Sequence, residues 1–197
     1  MAKIRARKRL ITNPLRRGHR RWRTVGLAIA SIGMLVTAHP TPWSVAIGLP
    51  CVAAGVALRI WAAGHLFKTH ELIVSGPYAY TRNPLYVGTF LIGAGFAVMA
   101  GPSVAAFAVP IGLLLFFGFY FPRKERKESS VLESHYGERY RAYHAAVPAL
   151  LPRLRPWSPE GETQSLRWSF ERVRRNSELG SALTVVLALV ALSLHAL

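Results

Sequence analysis

Hydrophobic positions fall along this chain in long blocks separated by short polar and proline-rich breaks. Stretches of about 17 to 25 residues almost free of charge have the length at which an α-helix crosses a bilayer. Five are predicted to do so: Thr24 to Ala38, Trp43 to Phe67, Pro84 to Ala100, Ser103 to Phe121, and Leu179 to Leu197. His39-Pro40-Thr41-Pro42 cannot continue a helix and so turns the chain between the first two. Gly101-Pro102 closes the third and fourth into a tight hairpin, and Gly88, Gly93 and Gly95 leave one side of the third helix thin enough for a neighbour or a ligand. Pro50 is placed to kink the second span. The fold class expected from this pattern is an all-α integral membrane protein with five transmembrane helices.

The breaks carry patterns of their own. Beyond Pro122, Glu128, Leu132, Tyr136, Tyr140, Tyr143 and Val147 recur at three- or four-residue spacing and share one helical face, with Gly137 as a candidate break in the stripe. This helix is expected to pack on the hairpin instead of lying alone at the interface. Pro148, Pro152, Pro156 and Pro159 read as an extended connector, and Gln164 to Asn176 as a short amphipathic helix.

Charge orients these elements. The chain has 25 Lys and Arg against nine Asp and Glu, a formal net charge of +16. Ten basic residues lie at or before Arg23 and twelve between Arg123 and Arg175, while Arg59, Lys68 and Arg82 alone fall between. The loops at His39 to Pro42 and at Gly101-Pro102 have none. This alternation predicts a cytoplasmic amino terminus and an outer carboxyl terminus. The basic segments are therefore expected to meet lipid headgroups, not nucleic acid. No small-residue cleavage site follows the first apolar run, so a cleaved signal is not expected. Cys51 is the single cysteine, which excludes an intramolecular disulfide and a multi-cysteine zinc site; no metal site is expected.

One stretch has the density of a site: Ser75-Gly76-Pro77-Tyr78-Ala79-Tyr80-Thr81-Arg82-Asn83-Pro84-Leu85-Tyr86-Val87-Gly88. Gly76-Pro77 forces a turn, Pro84 pushes Asn83 out of the α region, and Asn83 is then a natural N-cap with Pro84 as the first helical residue. Unpaired N–H groups at that helix start, beside Arg82 and three tyrosines, suit an anionic or zwitterionic ligand. The competing expectation is an anchored helix end with no ligand. Arg59, inside the second span, must either snorkel or find a partner. Gly93-Ala94-Gly95 is no dinucleotide loop, because no strand precedes it.

Gly76-Pro77-Tyr78 followed by Arg82-Asn83-Pro84-Leu85-Tyr86-Val87-Gly88 resembles the signature of integral-membrane methyltransferases, a family that includes isoprenylcysteine carboxyl methyltransferases and phospholipid methyltransferases. Its second signature is similar to Glu128, Leu132, Tyr136-Gly137, Tyr140, Tyr143 and Val147-Pro148. Two positions depart: Asn83 stands where the prenylcysteine enzymes have His, and Lys127 replaces the first of two acidic residues. The resemblance implies a helical hairpin with a cytoplasmic pocket for S-adenosylmethionine and a lipophilic acceptor arriving from the bilayer.

Carried over by position, Gly76, Tyr78, Tyr80, Arg82, Asn83, Pro84, Tyr86, Gly88, Glu128 and Tyr140 would form the cofactor site, with Arg82, Glu128 and Arg59 as candidate catalytic residues. Arg82 suits the cofactor carboxylate, Glu128 its ammonium, and tyrosine faces its cation or ring. An amine acceptor would need a base, for which Glu128, Tyr140 or His135 are available; an anionic acceptor would instead be oriented by Arg59 and Arg82. The implied organisation is a basic arm (1–23), two transmembrane helices (24–67), a methyltransferase core (68–154), a connector (155–178) and a last transmembrane helix (179–197). Carboxyl O-methylation of an isoprenylcysteine-like compound is the leading expectation. Phospholipid amine N-methylation, a sterol-reductase-like activity and a non-enzymatic scaffold are the alternatives.

Overall fold

The computed structural model describes residues 33, 37–66, 72–159 and 167–196, so the expected basic arm and nearly all of the first span lie outside the described residues. The chain forms two compact units, 1–37 and 38–197. In the first, the Thr37 amide and hydroxyl both donate to the Gly33 carbonyl. Among the described residues every regular element is helical. The all-α expectation therefore holds.

The second unit opens with α1, Pro42–His65, started by a reciprocal capping box between Thr41 and Ser44 and running on through Pro50. After a 3₁₀ turn at Gly76–Ala79 comes α2, Pro84–Met99. These two helices are antiparallel and very close. A Cβ on Gly48 would lie 2.5 Å from the Gly95 carbonyl, and one on Gly55 would lie 2.7 Å from that of Gly88. Each helix thus places two glycines seven residues apart, in register with the other's, which brings the backbones together along a seam containing the fully buried Val52 and Met99. Gly88 and Gly95 serve the close approach the sequence suggested. Gly93 does not, since nothing lies within 4 Å of its missing Cβ.

Gly101 turns the chain with φ 110°, and a Cβ there would meet the His39 carbonyl at 2.7 Å. The His39 amide donates to the Ala100 carbonyl. The two loops that lack Lys and Arg are therefore neighbours at one end of the α1–α2 pair.

From Gly101 onward the structure differs from the expected hairpin followed by a separate helix. Helix α3, Pro102–Leu115, passes through a π-helical turn at Phe116–Tyr120 directly into α4, Phe121–Ala146. Pro122 would ordinarily clash with the carbonyl four residues earlier and remove a hydrogen bond. Here that earlier residue is Gly118, inside the widened turn, and the helix continues. The break comes instead at Gly137, at φ 51° and ψ −126°, as its sequence suggested.

Helix α5, Phe170–Arg175, and α6, Glu178–His195, complete the unit. Around α5, the Ser169 amide and the Arg172 guanidinium donate to the Gly64 carbonyl, and the Asn176 amide reaches those of Ala63 and Leu66. These donors finish the C-terminal turn of α1, whose last carbonyls have no partners within the helix.

Among the described residues three helices are long and apolar enough to cross a membrane: α1, the continuous helix Pro102–Ala146, and α6; α2 is apolar but shorter. Helix α3 has no buried residue, and Phe107 and Leu114 stand 71% and 65% exposed. Apolar side chains exposed all round a helix require an apolar surrounding, and lipid provides it. The protein is an integral membrane protein; the described residues account for four of the five expected apolar helices.

Candidate functional site

The site is built where the loop before α2 meets α4. Its frame is backbone pairing with the proline-rich segment after α4. The Arg82 amide donates to the Pro148 carbonyl, the Arg153 amide to that of Tyr80, and the Trp157 amide to that of Ala79. Thr81, only 3% exposed, sends its hydroxyl to the carbonyls of Ala149 and Leu150. The segment the sequence reads as a connector thus straps the loop along its length as far as Trp157.

Beneath the strap, Leu72, Tyr140, Tyr143 and Val147 form a buried cluster with Leu132, Tyr136 and Trp157 against it. This is the aromatic stripe of the sequence; it packs against Leu72 and Trp157, beside the loop and the strap, and not on the hairpin where the sequence pattern places it. Tyr143 also donates its hydroxyl to the Tyr78 carbonyl at 2.8 Å, and Tyr140 donates to Ser129 Oγ at 2.7 Å. Loop and helix are therefore fixed to each other by both apolar burial and directed polar contacts.

The charged centre sits on that frame. Arg82 Nη2 lies 2.8 Å from Glu125 Oε1, with side chains 11% and 17% exposed. Arg82 Nη1 donates to the His144 carbonyl at 3.2 Å, and Asn83 Nδ2 donates to Glu125 Oε2 at 3.0 Å and to the Ala149 carbonyl at 3.1 Å. Asn83 stands at the N-cap position of α2, but its amide is spent on the acidic residue and does not cap the helix. The Arg82–Glu125 contact is close without hydrogen-bond alignment: Arg82 Nε and Glu125 Oε1 are both buried with no hydrogen-bond partner. His144 Nε2 lies 4.0 Å from Glu125. Burial, and then the Arg82 guanidinium, hold that imidazole below the usual histidine range, so Arg82 is the cation that balances Glu125 at neutral pH.

Other residues singled out in the sequence distribute over two faces of α2. Tyr86 packs edge-on against Phe116, Tyr120 and Phe121 at the π-helical turn, within electrostatic reach of Glu128 and Glu125. Glu128 itself pairs with Lys124 and is 40% exposed. Pro84 is buried at the start of α2. On the face towards α1, a Cβ on Gly88 would meet Arg59 Cγ at 2.7 Å, and one on Gly76, at φ 60°, would meet the His65 ring at 2.6 Å. Tyr80 faces Trp61, with ring centroids 6.3 Å apart. Tyr78 is buried, and burial pushes its phenol well above the usual range.

Arg59 has found a partner. Its Nε and Nη2 donate to Glu178 Oε2 and Oε1 at 3.0 and 2.8 Å, while Nη1 reaches the Leu85 carbonyl and Thr89. Glu125, His144 and Glu178 were not among the residues the sequence singled out. Glu125 had a signal: it precedes Glu128 by one helical turn, and helical continuity through Pro122 puts both on one side.

The comparisons bear on a loop and helix joined in this way. The profile described as phospholipid methyltransferase matches residues 43–139, which take in α1, α2, the loop with Arg82, α3, and α4 as far as Arg139. The chain belongs to the phospholipid methyltransferase family. Proteins named protein-S-isoprenylcysteine O-methyltransferase are similar to it: that of Homo sapiens is 32% identical over 125 residues, 57% of this chain and 43% of that protein. The one from Schizosaccharomyces pombe is 32% identical over 103 residues, 52% of this chain and 42% of its own. The chain thus spans less than half the length of these two relatives. Similarity runs further to a nickel-cobalt-cadmium resistance protein of Alcaligenes xylosoxydans xylosoxydans, 29% identical over 91% of this chain and 76% of that one. A cobalt-zinc-cadmium resistance protein of Cupriavidus metallidurans is 32% identical over 74% of this chain and 66% of its own. Among the described residues of this family member, no three His, Cys, Asp or Glu side chains group so as to hold a metal ion. No solved structure matches the chain.

Proposed function

We propose that this protein transfers a methyl group from S-adenosylmethionine to a lipophilic acceptor that reaches the site from the bilayer, most favourably to the carboxylate of an isoprenylcysteine-like compound. The observation that carries the reading is the Arg82–Glu125 pair, held by Asn83 and the strap, with a guanidinium Nε and a carboxylate oxygen left without aligned partners. A ligand bearing an amino acid carboxylate and ammonium offers what each lacks. Arg82 would take the carboxylate as a charge-assisted contact, and Glu125 the ammonium. Tyr86 and the aromatic residues at the π-helical turn would face the sulfonium or the adenine. The cofactor, when bound, supplies an electrophilic methyl group on sulfur. The chain's own residues contribute orientation and exclusion of water, from which most of the rate of an in-line displacement follows.

A carboxylate acceptor is ionised at neutral pH and requires no base. The orientation follows from charge. The two loops without Lys or Arg face the outer side, and the end carrying Arg82, Arg123 and Lys124 faces the cytoplasm. Helix α2 has 16 residues and so covers about 24 Å, less than the roughly 30 Å hydrocarbon core. A site at its amino terminus then opens close to the level where the head of an amphiphile lies.

Purified protein incubated with S-adenosylmethionine labelled on the methyl group and a total lipid extract is expected to label a lipid-soluble product. Mild alkali should release that label as methanol, as a methyl ester requires. A label stable to alkali would favour amine methylation of a phospholipid. No labelled lipid from any extract would overturn the methyltransferase reading in favour of a scaffold or a reductase-like protein.

A further inference from the structure

The Arg59–Glu178 pair lies among helices that cross the membrane, yet it makes a full two-pronged contact, with side chains 22% and 10% exposed. A buried ion pair gives little net stability over an apolar replacement, so its presence between α1, α2 and α6 asks for a function. Three further observations surround it. A cavity of about 20 Å³ adjoins the pair and is lined also by Val56, Ile92, Ser181 and Val185, room enough for one water. The hydroxyl of Tyr78, on a side chain 8% exposed, is buried with no hydrogen-bond partner and lies in the field of both charges. Ser177, immediately before Glu178, is held at φ 61° and ψ 22°, the one non-glycine residue in the left-handed region among the described residues.

These features share a sense. Arg59 is bonded to the Leu85 carbonyl and to Thr89, within the first two turns of α2, so it stands beside the same helix start as Arg82 but on a different face. A cation occupied by an internal carboxylate, with an unsatisfied buried donor in the field of both charges and a strained joint behind the carboxylate, is arranged for exchange of one anion for another. We propose that Glu178 is a displaceable counter-ion: the carboxylate of the acceptor replaces it on Arg59, with the Tyr78 hydroxyl as second donor, while relaxation at Ser177 lets the start of α6 withdraw. No bond is made or broken in the exchange. It rests on the methyltransferase reading for the identity of the acceptor, and it makes the anchored head group an anion and not an amine.

The test uses the full chain in phosphatidylcholine nanodiscs, without S-adenosylmethionine, and follows equilibrium binding of tritiated N-acetyl-S-farnesylcysteine and of its uncharged primary amide. The wild type is expected to prefer the acid. Glu178→Gln removes the competing charge and should tighten acid binding by about tenfold, the factor corresponding to 1.4 kcal/mol, with the amide unchanged. Tyr78→Phe should weaken the acid several-fold, and Arg59→Gln should remove the discrimination between acid and amide. Unchanged or weaker acid binding in Glu178→Gln, or an equal shift for acid and amide, would overturn the proposal. Separate calorimetric titration with S-adenosylmethionine keeps the readings apart. Unaltered cofactor affinity in Glu178→Gln shows an intact fold, whereas no cofactor binding in the wild type would refute the methyltransferase reading and leave the acid–amide comparison to decide this one.

Discussion

Arg82→Ala is expected to abolish measurable methyl transfer, a loss of at least about a hundredfold, and to lower the thermal stability of the detergent-solubilised protein. Two contacts to the guanidinium disappear, to Glu125 and to the His144 carbonyl, along with the Nε donor assigned to the cofactor. Hydrogen bonds to charged groups are each worth about 1.5–3 kcal/mol, and losing a single one near the top of that range, from Nε to the cofactor carboxylate, accounts for the hundredfold. The stability cost arises separately. Glu125 is left with the Asn83 amide but no adjacent cation, and stranding one partner of a buried pair costs about 3 kcal/mol. Arg82→Lys separates the two effects, since an ammonium keeps the charge and loses the fork. It should retain most of the stability and still bind S-adenosylmethionine about tenfold more weakly. Methyl transfer by a folded Arg82→Ala protein within threefold of wild type would show that the guanidinium has no part in the reaction.

The second large effect is a contrast between two carboxylates one turn apart. Glu125→Gln is expected to weaken S-adenosylmethionine binding by about thirtyfold, because it removes the charge that faces both Arg82 and the cofactor ammonium. Glu128→Gln should change affinity by no more than about threefold, since its carboxylate is 40% exposed and shared with Lys124, the kind of pair worth less than about 1 kcal/mol. Calorimetric titration of both variants measures the ratio. The reverse order would restore Glu128 as the acidic partner and leave Glu125 a structural counter-ion of Arg82.

That contrast also marks how far the sequence could be read. The loop was legible because its residues are punctuators with local effects: Gly76-Pro77 makes the turn, and Pro84 starts the helix wherever the rest of the chain lies. The stripe Leu132, Tyr136, Tyr140, Tyr143 was legible because helical periodicity survives without tertiary information, and Gly137 broke it where a residue without Cβ permits φ 51°. Glu125 was obscured by Pro122, which alone signals a helix start; only the π-helical turn and Gly118 let one helix run through it. The partner of Arg59 could not be read at all. Glu178 lies 119 residues away, at the first residue of an apolar helix, and no local pattern encodes a contact of that range. The backbone strap was hidden for a related reason: its carbonyls and amides carry no side-chain signature, so Pro148 to Trp157 read as a linker.

The joint grip of loop and helix on the methyl donor is tested most directly by ultraviolet cross-linking of radiolabelled S-adenosylmethionine to the purified protein, followed by proteolysis and mapping of the label. The account predicts label in two separate peptides, one from residues 75–88 and one from 121–147, both protected by excess unlabelled cofactor. Label confined to residues 167–196, or spread without protection, would contradict it.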